Sequence, residues 1–125
     1  MNNTRRMRIF AHQDQDVDTN DRVVILANDD DPQSLKDRLA DIDRIELHFP
    51  HFTDGRAYSQ AYLLRKRLGF AGDLRATGDV LIDQLVQMER TGFSSAVLKE
   101  GVDLADAERQ FARFAGYYQG DLASH

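Results

Sequence analysis

Two short polar stretches hold the residue types that could bind an anion or move a proton. The first, Thr53-Asp54-Gly55-Arg56-Ala57-Tyr58-Ser59, follows an apolar run that ends at Phe49-Pro50. Asp54 stands before a helix, Gly55 where the backbone must turn, Arg56 at or near the first helical position and Ser59 one turn along. A helix N-terminus exposes unpaired N–H groups and a partial positive charge, so an arginine there completes a site for phosphate, sulfate or a carboxylate. The second stretch, Gly78-Asp79, closes Leu74-Arg75-Ala76-Thr77. Arg56, Ser59, Arg75, Gly55 and Gly78 are the anion-binding candidates, and His48, Asp79 and Glu46 the acid–base candidates. A structural reading stands beside these: Asp54 as a helix cap, Arg56 paired with a neighbouring carboxylate, and Arg75 in a mutually satisfied buried network.

The elements that position these residues follow from hydrophobic spacing. Residues 45–49 alternate, with Ile45, Leu47 and Phe49 on one face and Glu46 and His48 on the other; residues 74–77 repeat this, with Arg75 and Thr77 on the polar face. Val23 to Asn28 reads as a buried strand closed by Asp29-Asp30-Asp31-Pro32, and Ser94 to Leu98 as the last strand. The aspartate run reads either as a divalent-cation site or as a solvated turn in which Asp31 caps a helix opened by Pro32. Helices are expected at about 32–43, 56–68, 80–90 and 104–118, with Gly69 and Gly92 as terminators. The fold expected is α/β, four mostly parallel strands alternating with helices. Strands apolar on one face imply helices mainly on one face of the sheet, a half-barrel-like arrangement. Both polar stretches then lie at the C-terminal strand rim, where such folds bind ligands. Residues 1–22 are expected to be poorly ordered or to give an edge strand at Met7 to Ala11, residues 23–120 to form a single domain, and residues 121–125 a tail.

Composition closes off several kinds of function. The 125 residues contain no cysteine, which excludes disulfides, thiol catalysis and cysteine-ligated metal centres. The four histidines show no metal-ligand spacing, so no metal is expected. A formal charge of −5 disfavours nucleic acid as a partner. No apolar run approaches the roughly 20 residues of a membrane span, and Arg5, Arg6 and Arg8 are not followed by a secretory apolar stretch, so the cytoplasm is the expected compartment. No cofactor is evident, because neither a dinucleotide fingerprint nor a phosphate-cradling Gly-rich loop is present.

Residues 44–119 closely resemble the DUF934 family of small bacterial proteins. The shared pattern is Phe49-Pro50, Asp54-Gly55-Arg56, Tyr58-Ser59, Leu64-Arg65, Gly69, Leu74-Arg75-Ala76, Gly78-Asp79-Val80 and Asp83-Gln84, ending at Tyr117-Tyr118-Gln119. Its members are described as oxidoreductases of sulfite reduction, and their genes neighbour those of assimilatory sulfite reductase. The resemblance therefore implies an accessory protein of sulfur assimilation. It would bind a small anion and dock to the sulfite reductase or its redox partner. The alternative is a small enzyme using the polar residues at the strand rim, and a homodimer formed over the polar sheet face is compatible with both. Members often carry Cys where this chain has Thr91.

Overall fold

The computed structural model describes residues 7–14 and 22–114, with the backbone alone at Phe114. Five strands form one parallel sheet: β1 (Arg8–Phe10), β2 (Val23–Leu26), β3 (Arg44–Phe49), β4 (Asp73–Gly78) and β5 (Ser95–Val97), in the spatial order β1-β5-β4-β3-β2. The α/β class and the four sequential strands are as the spacing predicts. The fifth, β1, is the edge strand allowed for near the N-terminus, and it pairs with β5 with Arg8, Ile9 and Phe10 opposite Ser95, Ala96 and Val97.

Strands laid down in order from β2 to β5 with right-handed crossovers place their connecting helices on one face. That face carries the core: Ile45, Leu47, Phe49, Leu74, Ala76, Ala96 and Leu98 are fully buried. Against them pack α1 (Arg56–Tyr62), α2 (Leu85–Thr91) and α3 (Leu104–Phe114), through Ala57, Ala61, Leu85, Met88, Ala107 and Phe111. Each large apolar side chain buried in this layer contributes roughly 2 kcal/mol.

The helices differ in detail from simple α-helical spacing. Residues Pro32–Asp41 form a 3-10 helix, and Asp31 caps it, its Oδ1 accepting from Gln33 N at 3.0 Å. Helix α1 runs on as a π-helical turn, Leu63–Arg67, before Gly69 ends it with φ 75°. The helix expected from residue 80 begins as a 3-10 turn at Ile82–Gln84, because Val80 is drawn into the core at the end of β4. Residues 1–6, 15–21 and 115–125, which include positions 115–118 of the expected last helix and the expected tail at 121–125, lie outside the described residues.

Candidate functional site

The polar sheet face divides into two clusters. On β3, Arg44 Nε donates to Glu46 Oε2 at 3.0 Å, and both side chains are almost buried. Toward β1, Arg75 is 2% exposed. Its Nε donates to Ser95 Oγ at 2.9 Å, its Nη2 lies 3.4 Å from Asp73 Oδ2, and its guanidinium stands 4.7 Å from the Phe10 ring centre. Asp73 also accepts from Ser94 Oγ at 2.6 Å and Ser95 Oγ at 2.8 Å, and pairs with Arg8 at 3.1 Å. Burial pushes the Asp73 carboxyl up, but the two serines and the charges of Arg75 and Arg8 outweigh it and hold it below the ordinary carboxylate range. Arg75 thus sits within the face, two residues past the start of β4. With Ser95 and Val97 also buried, the centre of this face is closed within a single chain.

Arg56 does lie at the C-terminal rim. There its Nη2 and Nε meet Asp54 at 2.9 and 3.2 Å, and its backbone N–H donates to Asp54 Oδ1 at 2.9 Å. The N-cap position itself is Gly55, with Asp54 one residue earlier. Asn28, beyond the end of β2, donates to the other Asp54 oxygen. The Arg56 side-chain and backbone bonds bring the Asp54 carboxyl down to about 2. The two arginines therefore serve separate carboxylates, Arg56 pairing with Asp54 and Arg75 with Asp73.

What the fold gathers at the rim is a different set. The loops after β3, β4 and β5 enclose a shallow hollow of about 430 Å³ lined by His48, Pro50, His51, Gly78, Asp79 and Lys99. Asp79 organises it: Oδ2 accepts Phe52 N at 2.7 Å and Oδ1 lies 3.2 Å from Lys99 Nζ. The Phe52 N–H, Lys99 and the nearby His51 hold the Asp79 carboxyl below its usual range. Gln84 completes the clamp, donating its amide to Phe52 O while its Oε1 accepts Leu81 N at 3.2 Å. The loop carrying His51 is thus pinned to the loop after β4 by both polar groups of one peptide residue. Gly78, at φ 93°, supplies the surface on which the His48 ring rests.

Such a rim can hold a small anion between Lys99 and the two imidazoles, with Asp79 fixing the geometry. It can also move a proton through His48, since a carboxylate held ionised is a poor acid and a weak base. Glu46 lies one alternation below His48 and is committed to Arg44. Lys99 was hidden in the sequence as one residue of a Lys-Glu-Gly turn; its place at the end of a parallel strand was the available signal. Ser59 is exposed on α1, away from the hollow's lining. Thr91 is in the last turn of α2, where its hydroxyl donates to Gln87 O at 2.7 Å. Because α2 runs from the C-terminal rim back to the start of β5, that position lies at the opposite edge of the sheet.

Two further hollows border β1. One, of about 650 Å³, lies against α3 beside Ile9, Phe10 and Glu108. The other, of about 550 Å³, lies at the N-terminal edge, where Asp73 is tied to the serines and arginines above and Glu89 accepts Met7 N at 2.9 Å. Among the described residues, no three or more His, Asp or Glu side chains converge as a metal site requires. Nor is any helix there long and apolar enough to cross a membrane. Asp30 and Asp31 are engaged by the turn, Asp30 Oδ2 accepting Ala27 N at 2.8 Å.

No curated protein and no solved structure matches this chain. The family model described as "Bacterial protein of unknown function (DUF934)" matches residues 23–125. That match covers most of the sequence, and the chain belongs to the DUF934 family.

Proposed function

We propose that the protein is an accessory of assimilatory sulfite reduction, taking a small oxyanion at the rim and docking to the reductase system. One observation carries the anion site: Lys99, His48 and His51 surround a hollow at the C-terminal ends of three parallel strands, braced by Asp79. The metabolic setting comes from the family resemblance, whose motif residues Phe49, Pro50, Gly78, Asp79 and Gln84 line or brace this rim. Arg75 is buried and Arg56 lies outside the hollow's lining, whereas Lys99 lines the hollow and, although paired with Asp79 at 3.2 Å, keeps a half-exposed side chain, so Lys99 is the cation offered to the anion.

Growth tests this reading. In a strain that lacks the gene and fails to grow on sulfate, the wild-type chain restores growth and Lys99→Ala does so poorly, while both grow alike on a reduced sulfur source. Full restoration by Lys99→Ala removes the anion site from the proposal.

A second reading is a small acid–base enzyme, favoured by the exposed His48 beside a carboxylate that stays ionised. It requires His48→Ala to abolish function; unchanged growth on sulfate with that variant and with Asp79→Ala leaves it without basis.

A further inference from the structure

Residues 55–72 contain four Lys and Arg and no Asp or Glu, whereas the other 12 Lys and Arg share the chain with all 21 acidic residues. This segment is dominated by one continuous helical element, α1 and its π-helical continuation, which therefore carries cations and no carboxylate of its own. Two of its cations are committed: Arg56 to Asp54, and Arg65 to the backbone carbonyls of Phe70, Gly72 and Gly92. Lys66 and Arg67 are exposed and enter no ion pair among the described residues.

The helix dipole favours cations at this end, but it gives no reason for the tyrosine one turn earlier. Tyr62 is 51% exposed, and Phe52, in the loop leading into α1, is 47% exposed; only Ile25 joins them as a large exposed apolar side chain among the described residues. An exposed tyrosine one turn before two exposed cations, unpaired among the described residues, on a protein otherwise rich in carboxylates, has the composition of a docking surface for an acidic protein. Opposite charge would steer that partner onto this face and away from the rest of the chain. A nucleic acid fits poorly, since two free cations cannot offset the repulsion from the acidic remainder.

We infer that the outward face of α1, centred on Tyr62, Lys66 and Arg67, docks an acidic surface of a partner protein. This rests on the accessory reading, in which that partner is the sulfite reductase or its electron donor.

The test measures binding of the full chain to purified sulfite reductase holoenzyme and, separately, to its electron donor, at low salt and at roughly 0.3 M salt. The variants are Lys66→Glu with Arg67→Glu, Tyr62→Ala, and Lys36→Glu as an exposed control on the 3-10 helix. Binding by the wild type that weakens with salt, falls about tenfold or more in the charge-reversed and Tyr62 variants, and is unchanged in the control supports the inference. Wild-type binding that none of the variants alters overturns the surface and leaves the accessory reading standing. Absence of wild-type binding to either protein overturns both. Self-association that disappears in the charge-reversed variant assigns the face to a second copy of this chain and overturns the inference.

Discussion

The imidazole of His48 lies over the α-carbon of Gly78, so close that a β-carbon at residue 78 would stand 2.7 Å from Cε1 and 2.9 Å from Nδ1 of the ring. Gly78 also has φ 93°, a conformation that side chains disfavour. Gly78→Ala is expected to lower folding stability by about 1–3 kcal/mol and to move His48. Urea unfolding measures the first and the His48 ring resonances the second. Unchanged values for both would show that the ring has no seat on Gly78.

Asp79 and Gln84 hold Phe52 by its N–H and its C=O. Losing a hydrogen bond to a charged acceptor costs roughly 1.5 kcal/mol or more, about tenfold in an opening equilibrium. Hydrogen exchange at the Phe52 amide should therefore speed up by about tenfold in Asp79→Ala, and by less in Asp79→Asn, which keeps an acceptor. Equal protection in all three proteins would remove Asp79 as the brace of the rim.

Acid should destabilise the fold in a defined direction. Asp54, Asp73 and Asp79 all have carboxyls held below their ordinary values when folded, Asp54 at about 2. Unfolded, they take up protons near pH 4, so the unfolded state binds more protons between that pH and the lowered folded values. Their contribution is fully present above about pH 4 and disappears as pH falls through the folded values. Urea midpoints should change little on account of these groups from pH 7 to 5 and drop from pH 4 toward 2.5. Asp73→Asn should flatten that drop, and an identical profile would contradict the assignment.

Neighbouring cations on one helix should behave differently. Arg65 donates to three backbone carbonyls, and Lys66 is exposed. A lysine cannot reproduce the fork of a guanidinium, so Arg65→Lys is expected to cost about 2 kcal/mol and Lys66→Ala less than about 0.5 kcal/mol. Equal effects in chemical denaturation would contradict the inward placement of Arg65.

The sequence showed the strand faces because alternation at residues 45–49 and 74–77 is a local pattern. It showed Asp31 as a cap for the same reason. Asp73, two residues before Arg75 on the same strand face, is a local partner, but partnership across the sheet is not local: nothing near Arg75 says that Ser95 and Phe10 will meet its guanidinium, and nothing near Arg8 says that it will lie opposite Ser95. Strand-end residues were legible as a rim, yet the rim's cation was not. Arg56 is marked by the glycine-containing turn that precedes a helix, whereas Lys99 is marked only by the end of β5 coming beside Asp79. The π-helical turn, which interrupts the regular stripe at Leu63–Arg67, likewise has no marker in the hydrophobic spacing.

Calorimetric titration of sulfite, sulfate and phosphate into the wild type, Lys99→Ala, His51→Ala and Arg75→Met tests the anion site most directly. The expected result is sulfite binding by the wild type, weakened by about tenfold or more in Lys99→Ala and weakened in His51→Ala. In Arg75→Met it is retained wherever that protein remains folded. No binding of any of the three anions by the wild type, or equal binding by Lys99→Ala, would contradict an anion site at this rim.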